Sequence, residues 1–147
     1  MIVRMASPSD HAQWQLLWRG YQNFYQSNIP EVVSRLTWSR FLNPAEPMHC
    51  AVAESDVGLV GLVHYIQHRS CWTEGDYIYL QDLFVHPQVR GQGIGRALIE
   101  HVYAQGRQMS ASRVHWLTHE SNQQAMLLYD GLAHRSGFVQ YRINLDD

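Results

Sequence analysis

Arg90-Gly91-Gln92-Gly93-Ile94-Gly95 is the stretch on which the reading of this chain turns. Three glycines in six residues remove the Cβ atoms that would crowd an approaching group, so successive backbone N–H groups can turn toward one anion. Upstream, Tyr77 to Val85 (YIYLQDLFV) is rich in β-branched and aromatic residues and is closed by Pro87, which cannot donate to a ladder; it reads as a strand. Downstream, Ala97, Leu98, Val102 and Tyr103 recur at helical spacing, with Arg96, Glu100 and Arg107 available for the wet face. The loop therefore joins a strand to the start of a helix, whose positive end favours the same anion. Such an arrangement suits a diphosphate.

Two familiar glycine loops do not fit. A triphosphatase-type phosphate loop needs Gly-Lys followed by Ser or Thr, whereas Gly95 is followed by Arg96 and Ala97. A dinucleotide fingerprint would need a small residue where Arg96 or Leu98 stands. What remains, Arg-x-x-Gly-x-Gly after a strand, resembles the GNAT acyltransferase superfamily. The resemblance implies that Arg90, Gly91, Gln92, Gly93, Ile94, Gly95 and Arg96 hold the pyrophosphate of acetyl-CoA.

A second block carries the resemblance further. After the apolar run from Arg113 to Leu117 comes Ser121-Asn122-Gln123-Gln124, a capping-box pattern that predicts a helix start. Asn122, Ala125 and Tyr129 then share one face, with Leu128 and Leu132 alongside. This is similar to the Asn-x-x-Ala-x-x-x-Tyr signature of the same superfamily. The signature implies that Asn122 meets the pantetheine arm or a nearby phosphate and that the Tyr129 hydroxyl points at the thioester sulfur. Taken alone, Tyr129 reads as a core tyrosine with a hydrogen-bonded hydroxyl. One departure stands out: Gly137-Phe138 follows the tyrosine about one helical turn, about 3.6 residues, later than is common. In this the chain resembles the subgroup typified by yeast histone and polyamine acetyltransferases, and the acceptor-site residues do not transfer.

The remaining elements fall in order. Ile2 to Met5 reads as a strand; Asp10 caps a helix carrying Trp14, Leu17, Trp18 and Tyr21; a second helix follows Pro30, with Val32, Val33, Leu36 and Phe41 as its buried set. Cys50 to Glu54 and Val57 to His68 form two strands about a Ser55-Asp56 turn, and the Tyr77 to Val85 strand completes an antiparallel meander. After the loop come a helix, a strand from Arg113 to Thr118, a helix from Ser121 to about Ala133 and a closing strand from Phe138 to Leu145. The order matches the GNAT architecture over almost all of residues 1–147, read as a single α/β (α+β) domain with a mixed sheet and about four helices. In that fold the central strands splay just after the position of Val85, and the resemblance places the arm of the coenzyme against the backbone of Leu83, Phe84 and Val85.

Composition narrows the function classes. The chain has 147 residues, 46% of them apolar, which suits one ordinary core. A net charge of -2 and a pI near 6.5 give no basic footprint for nucleic acid. No segment approaches the roughly 20 apolar residues of a membrane span, and no signal peptide is read, which points to a cytoplasmic protein. Cys50 and Cys71 lack bridge or metal spacing and read as free thiols. The pairs His64/His68 and His115/His119 lie on strands, where an offset of four is about 13 Å, so no metal is expected.

Chemistry sets the last requirement. An alkyl ammonium with pKa near 10 gives up its neutral form at pH 7 at a cost of about 4 kcal/mol, which a base or a desolvating pocket must offset. Asp82, beside Gln81, is the carboxylate on the strand before the loop: a base or water-holding residue if it faces the cleft, a structural hydrogen-bond acceptor if it faces a helix. Strand alternation decides between them, and a bulge near the end of the strand would spoil that count. Glu120 and His119 are weaker candidates for the base. The group Trp14, Trp18, Tyr21, Phe24, Tyr25 and Trp38 reads first as core, and second as an aromatic lining for an amine. The expected activity is direct acetyl transfer from acetyl-CoA to a primary amine of a small molecule or a protein lysine, with a homodimer implied by the resemblance. The alternative is a non-catalytic acyl-CoA sensor or interaction domain.

Overall fold

A computed structural model describes residues 1–146. The chain forms two compact units, one spanning Met1–Leu117 and the other beginning at Thr118. In the first, a five-stranded sheet runs in the order β1 (Ile2–Met5), β2 (Met48–Ser55), β3 (Gly58–His68), β4 (Tyr77–Val85) and β5 (Arg113–His115). The first four strands pair antiparallel and β5 joins β4 in parallel. A two-residue turn joins β2 to β3 and eight residues join β3 to β4, whereas residues 6–47 lie between β1 and β2; the parallel step needs a crossover, supplied by α3 (Ile94–Gln108).

Two helices from the first half, α1 (His11–Phe24) and α2 (Glu31–Phe41), cover one face of this sheet. Trp14, Leu17, Trp18 and Trp38 pack there against Cys50, Val52, Leu62 and Phe84. On the opposite face the amphipathic α3 buries Ile94, Leu98, Ile99 and Val102. Gly61 on β3 lies close under that layer, since a Cβ would stand 3.1 Å from both Leu98 Cδ1 and the Phe84 carbonyl oxygen and would require a shift of a few tenths of an ångström. Burial of these apolar side chains, each contributing about 1.5–3 kcal/mol, holds the two layers to the sheet.

α2 presents a different face from the one expected. Val32, Val33 and Leu36 are exposed, and Ser34 and Trp38 are buried with Thr37 and Phe41 beside them. The reason is a hydrogen bond: the indole N–H of Trp18 donates to Ser34 Oγ at 3.1 Å, so a polar residue is satisfied within the core stripe. Asp10 likewise does not cap α1 with its side chain. It is buried and takes two hydrogen bonds from the Arg4 guanidinium, at 2.7 and 2.9 Å, and one from the Ser7 N–H.

The second unit contains α4 (Gln123–Asp130). The helix begins two residues later than expected and the capping box does not form, because the Ser121 hydroxyl pairs instead with His119 Nδ1 at 2.6 Å. Residues 138–146 form no strand, in contrast to the closing strand expected from Phe138 to Leu145. A strand is defined by its ladder, and among the described residues this stretch pairs with no other segment. Val139, Tyr141, Ile143 and Leu145, which alternate as a strand face would, are all exposed.

The bonds from Arg4, with a smaller contribution from Ser7, hold the Asp10 carboxyl down at about 2 from its ordinary 3.8. Since the folded value is depressed, the stabilisation is complete above about pH 4 and is lost as pH falls toward 2. Asp10→Asn is expected to cost about 2 kcal/mol at neutral pH and to flatten the acid limb of a stability profile measured by urea melts between pH 2 and 5.

Candidate functional site

A single inserted residue determines which way Asp82 points. On β4, Asp82 stands opposite His64 and Leu80 opposite Tyr65, so Gln81 is an extra residue facing no partner. By strict alternation Ile78 and Asp82 would share a face. They do not: Ile78 lies under Gly106 of α3, whereas Asp82 and Phe84 are turned to the α1 side. The bulge at Gln81 thus moves the carboxylate out of the α3 layer.

Asp82 and Gln81 open into a cavity of about 220 Å³ lined also by Trp18 and Tyr21 of α1, Phe41 of α2 and His64 of β3. Asp82 is the one acidic residue of the lining among the described residues, and no arginine joins it. Its Oδ2 lies 2.9 Å from His64 Nδ1. The Tyr21 hydroxyl is pushed well above its ordinary range by burial and then by the charge and hydrogen bonding of Asp82, so it remains a protonated donor. Of the aromatic group singled out from sequence, Trp14, Trp18 and Trp38 are core, Trp18 and Tyr21 also line the cavity, and Phe24 is exposed. The core reading of that group therefore holds for the three tryptophans, and Trp18 and Tyr21 border a cavity.

The far half of β4 has only one neighbour. Its parallel ladder with β5 covers Tyr77 to Tyr79 and stops, so the strands part after Tyr79 rather than after Val85. Leu83, Phe84 and Val85 remain paired to β3 on one edge and have no ladder partner on the other among the described residues. A short strand of three residues, where six were expected, is the cause.

From Val85 the chain passes through a single turn at Pro87–Val89 into the glycine loop. Gly91 and Gly93 both have φ of +81°, the left-handed region, and open space surrounds the position of a Cβ at either one. The Ala97 N–H closes the first turn of α3 on the Gly93 carbonyl at 3.0 Å, which leaves the preceding amides at the open N-terminal end of the helix. The loop thus ends at an open helix N-terminus, with two glycines at positive φ and no side chain at either. Arg90 braces it: Nε donates to the Val85 carbonyl at 3.0 Å, and the guanidinium lies over the Phe24 and Phe84 rings at 5.2 and 5.6 Å. Arg96 faces Glu100 one turn along at 3.8 Å.

In the second unit, Asn122 immediately precedes α4, and Asn122, Ala125 and Tyr129 fall on its half-buried face, as the spacing predicts. His119 accepts the Ser121 N–H at 3.1 Å in an exposed turn, and Glu120 is exposed beside it. His64 was not singled out from sequence as a partner of Asp82. The two are 18 residues apart, and only the strand register brings them together.

Residues 11–133 match the model of the acetyltransferase (GNAT) family. The chain belongs to that family. The GNAT chain is 33% identical to the D-amino-acid N-acetyltransferase of Saccharomyces cerevisiae, over 98% of its own length and 91% of that enzyme's. It is 37% identical to the thialysine N-epsilon-acetyltransferase of Bos taurus over 77% of its own length, but spans only 57% of that enzyme. Among solved structures it resembles a probable acetyltransferase with a TM-score of 0.88 at 21% identity, covering 100% of this chain and 99% of the other, which shows the same α/β fold. The GNAT chain is thus an acyltransferase, and its relatives transfer acetyl groups to amines. No helix among the described residues is long and apolar enough to cross a membrane.

At a φ of +81° a β-branched residue is strained by about 1–2 kcal/mol or more. Gly93→Val is therefore expected to lower the urea midpoint measurably, whereas Gln92→Val, at the neighbouring exposed position, should leave it within about 0.5 kcal/mol of the parent.

Proposed function

We propose that this protein is an acetyl-CoA-dependent N-acetyltransferase that acts on a primary amine seated in the cavity at Asp82. The observation that carries this reading is the bulge at Gln81, which turns a carboxylate into an aromatic-lined cavity on the same strand that leads to the glycine loop. A cavity with one acidic residue and no arginine suits an ammonium group better than an amine with a carboxylate beside it. The chain has no lysine, since all of its 11 basic residues are arginines. Transfer to a lysine side chain of its own is therefore excluded.

In this reading the amides of Gly91 to Gly95 and the helix start behind them hold the pyrophosphate, with Arg90 and Arg96 flanking. The open edge at Leu83, Phe84 and Val85 pairs with the arm of the coenzyme, although the Val85 carbonyl already accepts from Arg90. Asn122 would contact the same arm. Asp82 draws in the ammonium and takes its proton directly or through one water, offsetting the cost of about 4 kcal/mol for the neutral amine. The amine nitrogen then forms a bond to the thioester carbonyl carbon and the carbon–sulfur bond breaks. Tyr129, in the role its motif implies, protonates the departing thiolate, whose conjugate acid has a pKa of only about 8.5, and regains a proton from the one that the acetylated nitrogen sheds. No covalent enzyme intermediate is invoked. The Cys50 thiol is buried and pushed up by that burial, which makes it a poor nucleophile.

Thiol release from acetyl-CoA in the presence of alkylamines, diamines and amino acids, followed by mass spectrometry of the products, tests the reading. Amine-dependent release is expected, with Asp82→Asn lowering turnover by about a hundredfold and leaving coenzyme binding intact. Coenzyme binding without release for any amine would instead make the protein a sensor, and equal turnover by Asp82→Asn would remove the carboxylate from the mechanism.

A further inference from the structure

Behind Asp82 runs a buried hydrogen-bond chain that the acetyl-transfer reading does not by itself require. The Trp14 indole N–H donates to His64 Nε2 at 3.0 Å, and His64 Nδ1 lies 2.9 Å from Asp82 Oδ2. Trp14 is fully buried and His64 is 3% exposed, so no solvent competes for either nitrogen. The direction of the chain follows from donor chemistry. An indole N–H can only donate, so Nε2 must offer its lone pair; the ring proton is then on Nδ1 and points at the carboxylate. Both ring nitrogens are committed, so His64 has no free site with which to accept a proton from an acceptor amine.

The imidazole is also fixed mechanically. It lies among the rings of Trp14, Trp18 and Phe41, with centroids 5.9, 4.9 and 4.6 Å away. For Asp82, by contrast, the bulge sets the face of the sheet from which the side chain leaves but not the rotation of its carboxylate. Its carboxylate is held by the Tyr21 hydroxyl and by His64, and His64, almost fully buried, is itself held by the Trp14 indole.

We propose that His64, oriented by Trp14, is a positioning residue that holds the Asp82 carboxylate toward the acceptor cavity for proton removal from the bound ammonium. This inference rests on the acetyltransferase reading for its activity measurement and on the hydrogen-bond geometry for its spectroscopic one. It assigns His64 a role through Asp82 and no contact with the reacting atoms.

Two substitutions separate positioning from bulk packing. Asparagine places an N–H near the position of Nδ1 and leucine places none. His64→Leu should lower kcat about a hundredfold with the KM for acetyl-CoA unchanged, since small misplacement of a catalytic group costs on that order. His64→Asn should recover turnover to within about fivefold of the parent, because the donor to Asp82 is restored. A packing role alone would make the two variants equally impaired, or equally active, and either result would overturn the proposal. Should His64→Leu not fold, nitrogen-15 NMR of the histidine-labelled parent protein carries the test without any variant. A proton on Nδ1 of His64 is expected, and a proton on Nε2 would overturn the proposal. If the parent transfers acetyl to no amine, the functional reading fails while the tautomer measurement still decides the geometry of the chain.

Discussion

Among the described residues β4 is paired on one edge at every position but Gln81 and on the other for only three residues, and the proposed site depends on that asymmetry. A strand held on both edges would have no backbone to offer a ligand and no freedom to bulge. A strand held on neither would not keep its register. The antiparallel ladder to β3 fixes β4 firmly enough that one inserted residue, Gln81, can reverse the facing of everything after it. Asp82 then shares a side with Phe84, and the same strand runs on to the loop at Gly91.

The two faces of the sheet make different demands, and the chain meets them with different chemistry. The α3 face is aliphatic and tight, to the point that a Cβ at Gly61 would press on Leu98 and Ile94. The α1 and α2 face is aromatic and contains polar groups, each with a defined partner: Ser34 with Trp18, and His64 with Trp14 and Asp82. Burying those groups is costly unless their hydrogen bonds are made, so the network both uses up and specifies the packing of the helices over the cavity. On the proposed function, the acceptor ammonium would enter on that second face.

Much of this was legible in the sequence, and what was not has identifiable causes. The glycine loop, its strand and its helix follow from local rules, because glycine at positive φ and helical periodicity are properties of neighbouring residues. The Asn122 to Tyr129 face was legible for the same reason. The buried stripe of α2 was not, since Ser34 enters the core only because Trp18 reaches it from another helix. The facing of Asp82 and its link to His64 depend on a strand register, which no local pattern encodes. The strand expected at Phe138 to Leu145 had the right alternation, but alternation describes a face and not a partner.

The central claim is that the open edge of β4 and the amides after Arg90 form one continuous surface for coenzyme A. Amide NMR of the isotope-labelled protein during titration with coenzyme A reads that surface residue by residue. The account predicts saturable shifts concentrated at the amides of Leu83 to Val85 and Gly91 to Arg96, with β1 and β2 unmoved. Saturation with the largest shifts elsewhere, or no shifts at all, would contradict it.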